Sequence, residues 1–287
     1  MEDPIVSTIR YAQADSKALV TEKAYILNYP TPPGIPKSNF NIGFFPGIKI
    51  HNLRTANLNW DENGVIIAKL PSCMPKADFD DEEQIEKFYL PDVHNCIRDT
   101  LGAEEVCIFD YMIRKREPAF PYQAKTKDNA PQPALSAHID YTPDEIKGRV
   151  HKYFKEKADE YGKRHFRIVN AWKPLAGPLR DYPMAYCDAK TMDPNTDLLT
   201  VDEVFPTVAN EVYQVLYNPN HKWYYIPDQL DIELAIFAGY DSRKGQSLSV
   251  PHCSFDLGDK SSGGPRQSIE VRAFVFYGNK EMNGDEH

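Results

Sequence analysis

Apolar and polar positions along the chain mark out many short strands and two helical regions. Between residues 4 and 28 they alternate (Ile5-Val6, Ile9 to Tyr11, Leu19-Val20, Tyr25 to Leu27), the two-residue period of strands with one buried face. A proline-rich connector from Pro30 to Pro36 follows. Ile48 to Leu53 and Gly64 to Leu70 are the next expected strands, joined across a turn at Asp61-Glu62-Asn63-Gly64. Acidic residues from Asp78 to Glu83 then mark a helix start. Ile85, Phe88 and Tyr89 supply its apolar stripe, and Pro91 is expected to interrupt it. A second helix carries Val93, Ile97 and Leu101 at four-residue spacing and ends at Gly102, a natural cap. Val106 to Phe109 has the length of a buried strand. The polar, proline-rich stretch from Pro118 to Pro133 is predicted to be a mobile loop beside the site.

Thr142-Pro143-Asp144-Glu145 combines an N-cap, a proline at the first helical position and a capping-box glutamate. The helix it opens is expected to run to Gly162, with Ile146, Val150 and Tyr153 or Phe154 inward and Lys152, Lys155, Glu156 and Lys157 solvated. Arg167 to Trp172, ended by Pro174, and Pro183 to Cys187 read as strands. The last hundred residues are nearly all β. Val212 to Tyr217 and Trp223 to Ile226 flank the hairpin-like Asn218-Pro219-Asn220-His221, Ile232, Leu234 and Ile236 alternate with their neighbours, and Leu248 to Phe255 and Ile269 to Tyr277 complete the series. Repeated short strands with turn residues between them predict a sandwich or jelly-roll barrel. Without an internal repeat or a shift of composition, the expectation is one domain over residues 1–287.

Composition narrows the function. The 287 residues can bury an ample core, and a formal charge of −9 argues against a nucleic-acid or anionic-membrane surface. No apolar run approaches a membrane span, and no signal-peptide order opens the chain, so a cytoplasmic setting is expected. Cys73, Cys96, Cys107, Cys187 and Cys253 are widely spaced, without a C-x-x-C pair, and read as reduced packing thiols. A small molecule in the barrel mouth is then the default ligand.

His138-Ile139-Asp140 brings chemistry into this frame. On a strand, residues two apart share a face, so the imidazole and the carboxylate can converge on one metal ion while Ile139 enters the core. His252, in the apolar setting Val250-Pro251-His252-Cys253, lies 112 residues beyond Asp140 on a late strand. Two imidazoles and a carboxylate form the facial triad of non-haem Fe(II) oxygenases, which leaves three positions open. Arg266-Gln267-Ser268 opens the last strand. An arginine there can hold a dicarboxylate by a bidentate ion pair, with the Ser268 hydroxyl alongside.

With these residues in place, the chain resembles the fungal and bacterial hydroxylase/desaturase family of Fe(II)/2-oxoglutarate-dependent oxygenases. Further blocks carry the resemblance: Asn52-Leu53-Arg54, Gly102-Ala103, Phe109-Asp110 with Arg114, Arg167 through Leu175, Pro183 through Asp188, Asp241-Ser242, and Arg266 through Arg272. Lys173 stands where the family more often has arginine, and Gln267 where it often has glutamate. The resemblance implies an α+β fold, a double-stranded β-helix (jelly-roll) core with flanking helices. It implies Fe(II) held by His138, Asp140 and His252, with 2-oxoglutarate and O2 as co-substrates. Decarboxylation to succinate then accompanies hydroxylation, desaturation or oxidative ring closure of a small substrate in secondary metabolism. A relative closes valine to an aziridine, which makes an amino acid a candidate substrate.

Arg54, Arg114, Arg167, Asn170, Tyr186 and Arg272 are the candidates for binding a carboxylate of co-substrate or substrate, each with a structural reading as a partner of Asp110, Asp188 or Glu270. Either Arg266 or Arg272 can anchor 2-oxoglutarate. Two other readings stay open. A cupin-like, non-oxidative metal enzyme would keep the histidines without needing Arg266, and a non-catalytic β-sandwich would not bring the triad together.

Overall fold

The computed structural model describes residues 3–15, 17–70, 74–120 and 130–278. Its strands are β1 (Ile5–Gln13), β2 (Ala24–Leu27), β3 (Asn41–Asn52), β4 (Val65–Lys69), β5 (Glu105–Lys115), β6 (His138–Ile139), β7 (Phe166–Pro174), β8 (Met184–Cys187), β9 (Leu198–Val204), β10 (Ala209–Val215), β11 (Trp223–Tyr225), β12 (Glu233–Asp241), β13 (His252–Ser254) and β14 (Gln267–Phe276). The larger sheet has the order β1-β3-β11-β8-β13-β6-β10-β9-β2, and the smaller β4-β12-β7-β14-β5. From β6 onward the chain passes back and forth between the two sheets. This is the expected α+β jelly-roll, a double-stranded β-helix with flanking helices.

The smaller sheet explains why β7, β12 and β14 read as nearly unbroken apolar runs: both of its faces are covered. On β14 the odd positions Ile269, Val271, Ala273 and Val275 face Ile85, Tyr89, Val93 and Ile97 of the outer helices. The even positions Ser268, Glu270 and Arg272 take the other face. Farther along that face, Phe274 and Phe276 pack with Ile146 and Val150 of the helix Pro143–Phe154. Three polar side chains in a row on the inner face of a fully buried strand are costly unless each finds a partner.

Both helix ends foreseen in the sequence are present. Thr142 Oγ1 accepts from Glu145 N at 3.2 Å, and Gly102 closes Leu90–Leu101 in the left-handed conformation at φ 62°. Pro91 does not interrupt its helix. Ile85–Tyr89 forms a π turn directly before Leu90–Leu101, and this wider turn accommodates the ring that a regular helix would drive into the carbonyl four residues back. The helix predicted to reach Gly162 breaks at a 3-10 turn, Lys155–Lys157, with Lys155 at φ 50°, before resuming as Ala158–Lys163. Phe154 rather than Tyr153 turns into the core, stacking on Tyr161.

Two local pairings differ from expectation. Asp61 to Gly64 belongs to a connection between sheets rather than a hairpin turn: Trp60–Asn63 is a single helical turn carrying the chain from β3 in the larger sheet to β4 in the smaller. The segments around Asn218 to His221 do not pair with each other either. β11 lies parallel to β3 and antiparallel to β8, while β10 pairs with β9, a strand the apolar pattern did not reveal. Leu19 and Val20 sit in a 3-10 turn, Lys17–Val20. Most of the Pro118 to Pro133 loop, and Cys73, lie outside the described residues.

A candidate metal centre inside the barrel

β6 and β13 are hydrogen-bonded neighbours at the middle of the larger sheet, with His138 directly opposite His252 and ring centroids 4.4 Å apart. Each Nδ1 lies against a backbone carbonyl two residues earlier, His138 on Ser136 O at 2.8 Å and His252 on Val250 O at 3.1 Å. Each Nδ1 is thus placed to donate to a carbonyl, which orients both rings with Nε2 toward Asp140. Asp140, one residue past the end of β6, places Oδ1 3.5 Å from His138 Nε2 and 3.8 Å from His252 Nε2. One ligand atom from each of the three residues lies within 4.8 Å of the others.

Electrostatics agree with a ligand set. Burial pushes the His252 imidazole down to about 3, with the His138 charge adding to the effect, so His252 is neutral. Burial also acts on His138, but Asp140 outweighs it and the net shift is upward. Burial opposes the Asp140 charge, yet Arg272 and His138 hold the carboxyl well below the usual range. Two nitrogen donors and one ionised oxygen facing a common point are the donor set of the facial triad.

The other Asp140 oxygen belongs to a network. Oδ2 accepts from Asn170 Nδ2 at 2.7 Å and Arg272 Nε at 2.9 Å. Arg272 also reaches Glu270 Oε1 at 2.6 Å and Asp110 Oδ2 at 2.8 Å, and Asn170 Nδ2 donates to Glu270 Oε1 at 3.0 Å. All three long edges of the Arg272 guanidinium are thus engaged.

Arg266 is different. It is buried, and its Nη1 donates to Tyr182 O at 2.6 Å and Ser254 Oγ at 2.7 Å, while Nε and Nη2 are buried without a partner among the described residues. The hydroxyls of Ser268 and Tyr186 are also buried without partners. Ser268 stands opposite Arg114 across β14 and β5, and Tyr186 opposite His252 across β8 and β13. Burial pulls the Arg266 guanidinium down to about 9, and the neighbouring Arg114 charge adds to this. A buried cation, Arg266, and a half-buried one, Arg114, with unfilled donors beside them make a cradle that fits an anion.

Two of the remaining sequence candidates, Arg54 and Arg167, are structural. Arg54 pairs with Glu233 and donates to Pro227 O. Arg167 pairs with Asp241 at 2.6 Å and Asp61 at 2.7 Å, and Asp188 accepts from Asn63. Arg114 is half-buried near Glu270 and donates to Gln132 O at 2.9 Å. The sequence reading overlooked Ser254, which braces Arg266, and Phe237, whose ring centroid is 4.6 Å from that of His252. Ser254 was accessible by two-residue spacing from His252. Phe237 carried no local signal.

A convergent His-Asp-His triad inside a jelly-roll, with a cationic cradle at the start of the last strand, is the arrangement of the non-haem iron oxygenases. Comparison with known proteins narrows the class. A family model described as "Oxidoreductase/YMDC permease-like domain" matches residues 9–276. Among the described residues no helix is long and apolar enough to cross a membrane. The chain is 30% identical over 220 residues to the hydroxylase/desaturase efuI of Hormonema carpetanum, covering 70% of this chain and 74% of that one. It is 28% identical over 268 residues to the alpha-ketoglutarate-dependent dioxygenase tstK of Talaromyces stipitatus, covering 88% and 96%. The solved structure of the iron and alpha-ketoglutarate-dependent endoperoxidase NvfI superposes with a TM-score of 0.84 at 26% identity, covering 96% of this chain and 99% of that one. The protein belongs to the hydroxylase/desaturase family of Fe(II)/2-oxoglutarate-dependent oxygenases.

Proposed function

We propose that this chain, as one domain in the cytoplasm, uses Fe(II), 2-oxoglutarate and O2 to oxidise a small molecule of secondary metabolism by hydroxylation, desaturation or oxidative ring closure. The observation that carries the reading is the pairing, in one barrel, of the convergent triad with an anion cradle of unfilled donors. His138, Asp140 and His252 hold the metal. Arg266, with Ser268, holds the distal carboxylate of 2-oxoglutarate through the free Nε and Nη2 edge, a fork suited to a carboxylate. Tyr186 supplies a further donor. Arg272, the other candidate anchor, is disfavoured because its fork is already used by Asp140, Glu270 and Asp110. With iron and 2-oxoglutarate bound, O2 would supply the oxidising equivalents, two of them consumed as the co-substrate is decarboxylated to succinate and two left for the substrate.

The residues of the chain bind, orient and exclude. The backbone carbonyls of Ser136 and Val250 keep both imidazoles aimed inward, and Phe237 and Tyr186 wall the His252 side against water. For a substrate carboxylate, Arg114 is the remaining cation beside the site, which supports an amino acid such as valine, with aziridine formation as one ring-closing outcome. The net charge of −9 argues against nucleic acid or an anionic membrane as partner, and the free thiols of Cys96, Cys107, Cys187 and Cys253 agree with a reducing compartment.

Anaerobic addition of Fe(II) and then 2-oxoglutarate should raise a weak visible charge-transfer band. A cupin-like, non-oxidative metal enzyme or a non-catalytic β-sandwich would not give it. Supplying the loaded enzyme with ascorbate, O2 and a panel of amino acids beside apolar terpenoid or polyketide compounds, and following succinate with product, then identifies the substrate class. Coupled turnover confined to the apolar compounds would overturn the amino-acid reading. Loss of two hydrogens without gain of oxygen would mark desaturation or ring closure.

A further inference from the structure

The barrel treats the two oxygens of Asp140 differently. Oδ1 faces the two Nε2 atoms, whereas Oδ2 points away and accepts from Asn170 and Arg272. Those two donors are joined behind it, since Glu270 Oε1 accepts from Asn170 Nδ2 at 3.0 Å and Arg272 Nη2 at 2.6 Å. Asp140, Asn170, Glu270 and Arg272 therefore close a ring of hydrogen bonds. Arg272 stands directly opposite Asn170 across β14 and β7, so the ring is founded on two adjacent, buried strands rather than on a loop. Asp110 holds the outer end of the guanidinium.

We propose that the Asn170, Glu270 and Arg272 side chains form a positioning ring that restricts Asp140 to one metal bond, through Oδ1, and so keeps a coordination position open for oxygen. The inference rests on the iron and 2-oxoglutarate reading above. A six-coordinate ion with three protein ligands has three positions left, and a chelating co-substrate takes two. A carboxylate free to turn can offer both oxygens and close the last. Here the second oxygen is held by two donors, one of them charged, and each donor is itself held by Glu270. Asn170 and Arg272 thereby act on the metal through Asp140, and neither has to touch the co-substrate.

Nitric oxide, an oxygen surrogate, reads the open position directly. Wild-type protein loaded anaerobically with Fe(II) and 2-oxoglutarate is titrated with it and followed by paramagnetic resonance. Asn170→Ala and Arg272→Gln should keep the visible chelate band, with 2-oxoglutarate half-saturation within about two-fold, while requiring about ten-fold more nitric oxide, the scale of loss typical when a ligand's supporting partner is removed. Arg272→Lys, which keeps a charged donor, should fall between Arg272→Gln and wild type. Melting curves identify any variant that does not fold. Glu270→Gln, equal in shape but without the charge that braces Arg272, then takes its place with the same weakening expected. Unchanged nitric oxide binding in the folded variants would overturn the proposal. So would a lost chelate band with nitric oxide binding intact, which would return the residues to the co-substrate. A wild-type protein without the chelate band removes the functional reading and this inference together, whereas a normal wild-type band with wild-type nitric oxide binding in the variants removes this inference alone.

Discussion

Replacing Arg266 by lysine tests the co-substrate cradle without removing its charge. The guanidinium uses Nη1 to hold Tyr182 O and Ser254 Oγ, and presents Nε and Nη2 on a separate edge. A lysine ammonium is a single point, and the two existing acceptors, at 2.6 and 2.7 Å from Nη1, are the first it would satisfy. The variant then forfeits the parallel pair of charge-assisted bonds to a carboxylate, each worth about 1.5–3 kcal/mol, and regains part of that through its third proton. A net loss of about 2 kcal/mol corresponds to a roughly 30-fold rise in the 2-oxoglutarate dissociation constant. Anaerobic titration of the chelate band measures it without a known substrate, and iron affinity, measured separately, should be unchanged. A dissociation constant within two-fold of wild type would refute the reasoning. A co-substrate defect in Arg272→Lys instead would move the anchor to Arg272.

Three further outcomes are expected. His252→Ala should abolish iron-dependent succinate formation while the far-ultraviolet spectrum stays unchanged, and Asp140→Glu should be nearly as harmful because the longer side chain displaces the ligand oxygen. Asp241→Asn should cost about 3–5 kcal/mol in urea unfolding, since it leaves the buried Arg167 with only the exposed Asp61. Burial opposes the Asp241 charge, but Arg167 and the Arg243 amide hold its carboxyl below the ordinary 3.8, so this stability is complete above pH 3.8 and is lost as the pH falls through the lower native value; the variant's stability curve should be flatter there. Phe274→Ala, in the aromatic cluster with Phe109, Phe154 and Phe166, should cost about 3–5 kcal/mol while the folded fraction titrates with iron and 2-oxoglutarate as wild type does.

The residues that converge inside the barrel were legible because their signals are local. His138 and Asp140 share a face by alternation, Gly102 and Thr142 carry their caps in their own side chains or lack of one, and Arg266 opens a strand of unmistakable apolar length. What was hidden depends on partners distant in sequence. The segment 212–226 has hairpin composition, but β11 is claimed by β3 and β8 from elsewhere in the chain. Likewise, alternation places Glu270 and Arg272 on one face, but only the cross-strand register of β14 with β7 puts Arg272 opposite Asn170 and within reach of Asp140. The passage of a helix through Pro91 required a π turn, for which sequence periodicity has no mark.

The adjacency of β6 and β13 has a consequence for how the protein is made. His138 and Asp140 emerge early, yet their third companion is 112 residues downstream of Asp140, with β7 through β12 between them. Until those strands have found their places, the chain offers a metal only two ligands, and two hold an ion far less firmly than three. A chain in which β13 has not yet docked beside β6 would therefore hold iron less firmly than the closed barrel, so that the redox-active ion and the finished fold arrive together.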